Sequence, residues 1–405
     1  MKKLKIICAL TAICLLCGCA SGAEDLTKGL KAEKVDATEA DADFLSAQAD
    51  FSAELFKKIA IENENSNVHI SPYSVSVALA MTANGAGENT RSELEALWNG
   101  IDTDSLNGYF LWLGNRLSSS EQLHSANSFW FNSGNALNVN KDFMQKTVNY
   151  YGAELFAAPF DESTQKHLNK WVKKNTDGMI REMEFSPDAV MCLVNAIAFD
   201  AKWQQPYEKG DSVETVFTNI DGSTSSVEMM YSDETVLIRD ADATGFIKNY
   251  EGGRFGFAAL LPKEETDIYD YINSLDGKKL QEIFSNRTED TYVRTGIPKF
   301  TMDFSTDLVD TLSHMGVKDA FDQSAANLTP MATMGDINLF VGKVLHKTHI
   351  TIDENGTRAA AATLVSVDCG SSVSPPTVIL DRPFIFMIVD NATGLPVFMG
   401  VITNL

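Results

Sequence analysis

Residues 353–372 read DENGTRAAAATLVSVDCGSS. On a strand, where side chains alternate between faces at period two, Thr357, Ala359, Ala361, Thr363, Val365 and Val367 share one face. Arg358, Ala360, Ala362, Leu364, Ser366 and Asp368 share the other. The first face is small and uncharged throughout, and the second carries charge at both ends, which is the pattern of a strand with one buried face. Alanine nevertheless favours helices over strands, so the run is not optimised as a permanent strand. Its slim profile suits a segment that slides into a sheet between two existing strands. On propensity alone a short helix capped near Thr357 is the competing reading.

The surrounding chain is that of an ordinary globular protein. It has 405 residues, 44% hydrophobic and 22% charged, enough for a sizeable core. No Pro/Gly/Ser-rich linker, composition break or fixed-period repeat interrupts residues 46–405, so a single large domain is expected. The formal net charge of −22 repels a phosphate backbone, and no Lys/Arg stripe offsets it, which argues against a nucleic-acid partner.

The N-terminus reads as a targeting signal over residues 1–18. Lys2, Lys3 and Lys5 precede an apolar stretch at 6–16, too short to span a bilayer, and LCGC follows at 16–19. Leu-x-Gly-Cys resembles the bacterial lipobox, and on that reading Cys19 becomes the lipid-bearing N-terminus. The alternative is ordinary secretory cleavage near Ala20 or Ala23. Either way the expected location is outside the cytoplasm, secreted or anchored to the bacterial cell envelope, with membrane contact only through the N-terminal lipid. Residues 20–43 are polar, small and free of aromatics, so 19–45 is expected to be a flexible tether. Four of the six cysteines (Cys8, Cys14, Cys17, Cys19) belong to the leader and its cleavage site, which excludes a disulfide framework. Cys192, in MCLVNAIAF, reads as a buried small hydrophobe. Cys369 stands in a polar Gly/Ser segment, where an exposed thiol would be open to oxidation.

Helical spacing marks DFSAELFKKIAIEN at 50–63, and Ser71-Pro72 opens a second helix that runs to Gly85 and Gly87. Strand patterns dominate later: MCLVNAIAF at 191–199, RFGFAALLP at 254–262, TYVRTGIPKFTMDF at 291–304, and DRPFIFMIVD and LPVFMGVITN joined by residues 391–394. The fold class is α+β with a large, mainly antiparallel sheet system. His346 and His349 are three apart in the strand VLHKTHITID, which puts them on opposite faces and not on one metal. No Gly-x-Ser-x-Gly elbow, phosphate-binding glycine loop or Cys-x-x-Cys pair occurs, so neither a cofactor nor a metal is implied. A hydrolase site dispersed along the sequence is the remaining enzymatic reading.

IDENGTRAAAATL at 352–364 is similar to the hinge of the serpins, in which a Glu, a Gly-Thr and small residues precede an exposed reactive loop. Further blocks agree in order: VHISPYSVSVALAMTANGAGENTRSEL at 68–94, SANSFWF at 125–131, LNKWVKKNTDGMI at 168–180 and LVNAIAFDAKWQQPYE at 193–208. IPKFTMDFSTDLVDTLSHMGV at 297–317, VLHKTHITIDENGT at 344–357 and PFIFMIVDNATGLPVFMG at 383–400 continue the match. The chain thus resembles a serpin over nearly all of residues 46–405. The resemblance implies helices packed on three mainly antiparallel sheets, with an exposed loop at about 354–376.

What the resemblance implies for function is a conformational trap. A protease attacks the loop as a substrate, forms an acyl-enzyme at the residue before the cut, and is carried across the molecule as the cut loop enters the main sheet. Glu354, Gly356, Thr357, Arg358, Ala359, Ala360, Ala361 and Ala362 match the hinge. The alanines keep insertion fast enough to compete with deacylation, and Arg358, in place of a common acidic residue, falls on the tolerant face. Ser71, Ser74, Asn195 and His346 match the shutter, a polar cluster beneath the sheet, and Trp203 the breach where the loop first enters; ordinary core packing is the plainer reading of these five. Arg382, Pro383 and Phe384 resemble the anchor after the loop. Counting from Glu354 puts the scissile bond at Gly370-Ser371, and counting back from Pro383 puts it near Ser372, so Val367, Asp368, Cys369, Gly370, Ser371 and Ser372 are the candidates. With no Arg or Lys among them, elastase-like or subtilisin-like serine proteases fit better than trypsin-like ones, and a papain-like cysteine protease is a further partner. The chain is expected to act as a monomer. A non-inhibitory serpin that binds a ligand or serves as a decoy substrate is the alternative.

Overall fold

The computed structural model describes residues 22–119, 122–134, 136–184, 186–208, 210–357 and 375–405. The order begins with β1 (Glu24–Asp25), α1 (Ala42–Glu62), β2 (Val68–Ile70), α2 (Pro72–Asn84), α3 (Glu88–Ala96), α4 (Thr103–Ser118), β3 (Leu123–Asn132), β4 (Leu137–Val139), α5 (Lys141–Tyr151), β5 (Glu154–Ala158) and α6 (Glu162–Asn175). Strands then take over: β6 (Met191–Phe199), β7 (Ala201–Lys202), β8 (Ser212–Thr218), β9 (Thr224–Glu234), β10 (Val236–Arg239), β11 (Ala243–Asn249) and β12 (Phe255–Pro262). After α7 (Ile268–Asn273) and α8 (Gly277–Ser285) come β13 (Val293–Pro298), β14 (Phe300–Asp307), α9 (Val309–His314), β15 (Ala332–Met334), β16 (Lys343–Ile352) and β17 (Gly356–Thr357). β18 (Thr377–Ile379), β19 (Phe384–Asp390) and β20 (Pro396–Ile402) complete the chain.

Local chemistry sets the boundaries that matter for the site. Ser71 caps α2, its Oγ accepting the Ser74 N–H at 3.2 Å, and Pro72 supplies a first helical residue that needs no N–H partner. Every residue of α2 is buried, as a helix inside the molecule requires. The apolar run at 191–199 becomes β6, buried along its whole length. The stretch 291–304 divides into β13 and β14, which belong to different sheets.

Three sheets carry the architecture. The main sheet has the order β1-β5-β3-β6-β16-β14, the second β10-β11-β12-β19-β20-β2, and the third β18-β13-β9-β8; β4 with β15 and β7 with β17 form two-stranded pairs. Antiparallel pairing dominates, and the α+β class with helices on three sheets is the one expected. The main sheet holds two parallel pairs, β3 with β5 and, at its centre, β6 with β16. One face of this sheet packs with α6 through Trp130, Phe156, Leu168 and Trp171. The large core, which holds α1, α2 and the second sheet, lies on the other.

The expected flexible tether is corrected from residue 22 onward. Glu24 and Asp25 pair with Ala157 and Phe156 at the edge of the main sheet, and the Leu26 N–H donates to the Leu155 carbonyl at 2.8 Å. Farther on, Gln145 Nε2 donates to the Lys31 carbonyl at 2.9 Å, and the Thr38 N–H to the Gly108 carbonyl at 3.1 Å. A Cβ on Gly108 would stand 2.5 Å from Thr38 Oγ1, so only glycine lets the segment lie this close to α4. Asp41 then caps α1, which starts ahead of residue 46. From residue 24 to residue 38 the segment is held largely through its own backbone groups, which leave no mark in hydropathy.

Candidate functional site: the seam of the main sheet

β6 and β16 meet in a parallel ladder from Lys343 opposite Cys192 to His349 opposite Ala198. β16 alternates strictly between buried and half-buried residues, so His346 faces the core and His349 the other side, as their spacing predicts. Cys192 is fully buried, and burial pushes its thiol up to about 12, as suits an inert packing residue.

At the lower part of the seam three polar side chains stand level on three adjacent strands: Asn127 on β3, Asn195 on β6 and His346 on β16. The His346 Nε2 accepts the Ser71 N–H at 3.0 Å, so its proton belongs on Nδ1, which donates to Asn195 Oδ1 at 2.7 Å. Asn195 Nδ2 donates to the Ser74 carbonyl at 2.8 Å, to Asn127 Oδ1 at 2.5 Å and to Ser74 Oγ. Ser71 Oγ closes the set by donating to the Val397 carbonyl at 2.7 Å. Burial lowers the His346 pKa to about 3, so the ring is neutral and the network carries no charge. Ser71, Ser74, Asn195 and His346 are thus brought together in one hydrogen-bonded cluster. Asn127 was missed, although it stands in the SANSFWF block and only the strand register singles it out.

At the upper end the chain leaves β16 through a tight reversal. The Asp353 N–H donates to the Gly356 carbonyl at 3.0 Å, and Asp353 Oδ1 accepts the Asn355 N–H at 2.7 Å. Gly356 has φ +150°, and a Cβ on it would lie 2.1 Å from the Ala201 carbonyl oxygen. β17 then pairs antiparallel with β7. Trp203, fully buried, grips the turn twice: its backbone N–H donates to the Asn355 carbonyl and its Nε1 to the Asp353 carbonyl, each at 2.9 Å. Tyr207 donates its N–H to the Glu354 carbonyl at 2.9 Å, and the Tyr250 hydroxyl meets Thr357 Oγ1 at 2.7 Å. The Tyr250 ring stacks on Trp203 with centroids 4.5 Å apart.

Glu354 does not stand free. Its carboxylate pairs with Lys299, which also holds Glu228 at 2.6 Å. Partial burial disfavours both charges, but the hydrogen bonds outweigh it, leaving Lys299 above and Glu354 below its ordinary value. Lys299, Tyr207 and Tyr250 escaped the sequence reading because their partners lie far away along the chain. Arg358, Ala359, Ala360, Ala361, Ala362, Val367, Asp368, Cys369, Gly370, Ser371, Ser372 and Cys19 lie outside the described residues. Past that stretch, Arg382 Nη2 donates to the Pro262 carbonyl at 2.9 Å, and after Pro383 the fully buried Phe384 opens β19.

The model of one family, Serpin (serine protease inhibitor), matches residues 46–405. The chain is a serpin. Leukocyte elastase inhibitor A of Rattus norvegicus is 30% identical over 373 residues, spanning 88% of this chain and 97% of its own. Antithrombin-III of Bos taurus is 28% identical, with 88% and 81% covered. Among solved structures, the thermophilic serpin Tengpin in its native state superposes with a TM-score of 0.89 at 39% identity, over 95% of this chain and all of that one. The latent state of Tengpin gives 0.79 at 36% identity, covering 91% of this serpin and 100% of that chain, so this serpin is closer in shape to the native form.

Proposed function

We propose that this serpin is an inhibitor that traps its target protease by inserting its cleaved loop into the β6–β16 seam. The observation that carries the reading is the direction of the strands. The chain leaves β16 through a reversal at 353–356, so a segment returning along the seam runs antiparallel to β16 and, because β6 is parallel to β16, antiparallel to β6 as well. Insertion therefore exchanges one parallel ladder for two antiparallel ones, and parallel pairing is the less stable per residue. The segment that would enter begins with the small face of Thr357, Ala359 and Ala361.

In the chemical step the protease hydroxyl adds to the carbonyl carbon at the reactive bond and the C–N bond breaks. The amine leaves with a proton from the protease's general acid, and an ester joins the two proteins. Insertion must then outrun attack of water on that ester. Residues 367–372 offer Val, Asp, Cys, Gly and Ser, with no Arg or Lys for an acidic primary pocket, which favours elastase-like or subtilisin-like serine proteases and admits papain-like cysteine proteases. The leader and Cys19 support a lipid-anchored or secreted protein outside a bacterial cytoplasm, a monomer whose membrane contact is the N-terminal lipid.

The chain from residue 20 onward, incubated with elastase, subtilisin, trypsin and papain, tests this. A protease complex that survives SDS is expected with elastase or subtilisin, and the mass of the released C-terminal peptide will place the cut within 367–372. Loop cleavage by all four with no complex and no gain in thermal stability would overturn the inhibitory reading in favour of a decoy or binding serpin.

A further inference from the structure

A second ion pair lies beneath the turn that holds Glu354, and it is buried. Lys248 on β11 is 2% exposed, and its ammonium lies 2.7 Å from Oε1 of Glu234 at the end of β9. Ser232 joins the pair, 3.5 Å from Lys248 Nζ and 2.7 Å from Glu234 Oε1, and it is also within 3.3 Å of the Tyr207 hydroxyl and 3.1 Å of Thr295 Oγ1. The same ammonium stands over two aromatic faces, 4.4 Å from the ring centroid of Tyr207 and 5.6 Å from that of Trp203.

Burying a charge pair costs desolvation, and apolar residues of similar size commonly fill such a space as well or better. Stability alone is therefore a poor account of Lys248. Its contacts supply a better one. Tyr207 and Trp203 are the residues whose N–H groups hold the carbonyls of residues 353–355. A cation over a ring face attracts it more strongly when water is excluded, and Glu234 balances the charge so that it can remain there.

We propose that the Lys248–Glu234 pair is a brace for loop entry: it fixes the rings of Trp203 and Tyr207, these fix the turn at 353–357, and the pair thereby sets how readily that turn releases the chain into the seam. Lys248 is a positioning residue, acting on the turn through the rings of Trp203 and Tyr207. The proposal rests on the inhibitory reading above and deepens it, adding a control of insertion rate.

The test compares wild type with K248M/E234Q, which removes the pair without leaving a charge unpartnered, and with K248R, which keeps the cation. Each protein has its loop cut by a protease it does not trap, and the gain in thermal midpoint is followed in time; the number of inhibitor molecules consumed per protease trapped is measured separately. Insertion in K248M/E234Q should be faster by about tenfold, the order of effect expected for a desolvated cation on aromatic faces. That variant should also consume fewer molecules per trapping event, while K248R inserts at the wild-type rate. Should K248M/E234Q not fold, Tyr207→Leu removes the nearer ring with no change of charge and should insert faster in the same assay. A folded variant that inserts at the wild-type rate, or a K248R that behaves like K248M/E234Q, sinks the brace while leaving the inhibitory reading intact. A wild-type chain that gains no stability on cleavage sinks both.

Discussion

Asn195 ties three elements together with one side chain. It donates to the Ser74 carbonyl on α2 and to Asn127 on β3, and it accepts from His346 on β16, all inside the protein. Asn195→Leu would fill similar space but leave the Nδ1–H of His346 and the oxygens of Asn127 and Ser74 short of partners. Stranding such groups should cost about 3 kcal/mol. A corresponding fall in the urea midpoint, followed by circular dichroism, checks it, and a loss under about 1 kcal/mol would mean that water takes over these bonds. The sequence disclosed this cluster unevenly. Ser71 beside Pro72 announces a cap through local chemistry, and His346 stands out in a strand pattern. Asn127 and Lys299 look like ordinary surface residues until the register sets one level with Asn195 and the salt bridge sets the other beside Glu354.

The smallest element of the main sheet offers a test at the scale of secondary structure. β1 is two residues long, yet it covers the outer edge of β5, whose backbone groups would otherwise be open to another chain. Deleting residues 22–40 removes that cover along with the bonds to Leu155, Gln145 and Gly108. The expected loss is about 2 kcal/mol, once the chain entropy regained on release offsets part of the bonding. The shortened protein should also associate as its concentration rises. Calorimetry and light scattering would show both, and an unchanged midpoint with a clean monomer would mean that the segment merely rests on the surface. Helices, long strands and fold class were legible because periodicity and capping are local. β1 was not, since a strand of two polar residues has no periodicity, and neither was the division of 291–304 between sheets, which depends on where each half finds a partner.

At the scale of the whole molecule, two buried imidazoles make the fold sensitive to mild acid. His69 is 1% exposed, stacked with Phe386 and Phe398 at centroid distances of 5.6 and 5.1 Å, and neither of its ring nitrogens has a hydrogen-bond partner among the described residues. Burial, aided by the neighbouring His346 and His349, lowers its pKa to about 3, matching the value for His346. Both rings regain an ordinary pKa of about 6.5 on unfolding, so between these limits the unfolded chain binds more protons. The stability they contribute is complete above about pH 6.5 and is lost progressively as the pH falls toward 3, at up to about 1.4 kcal/mol per pH unit for each ring. His69→Phe separates the two contributions. It replaces an imidazole with unpartnered nitrogens by a ring suited to stacking on Phe386 and Phe398, so the variant should be more stable at pH 7 by about 1–2 kcal/mol. Its stability should also fall about half as steeply between pH 6.5 and 4.5 as that of wild type. Urea titrations across that range decide the matter: equal slopes in the two proteins would show that His69 is not the titrating group.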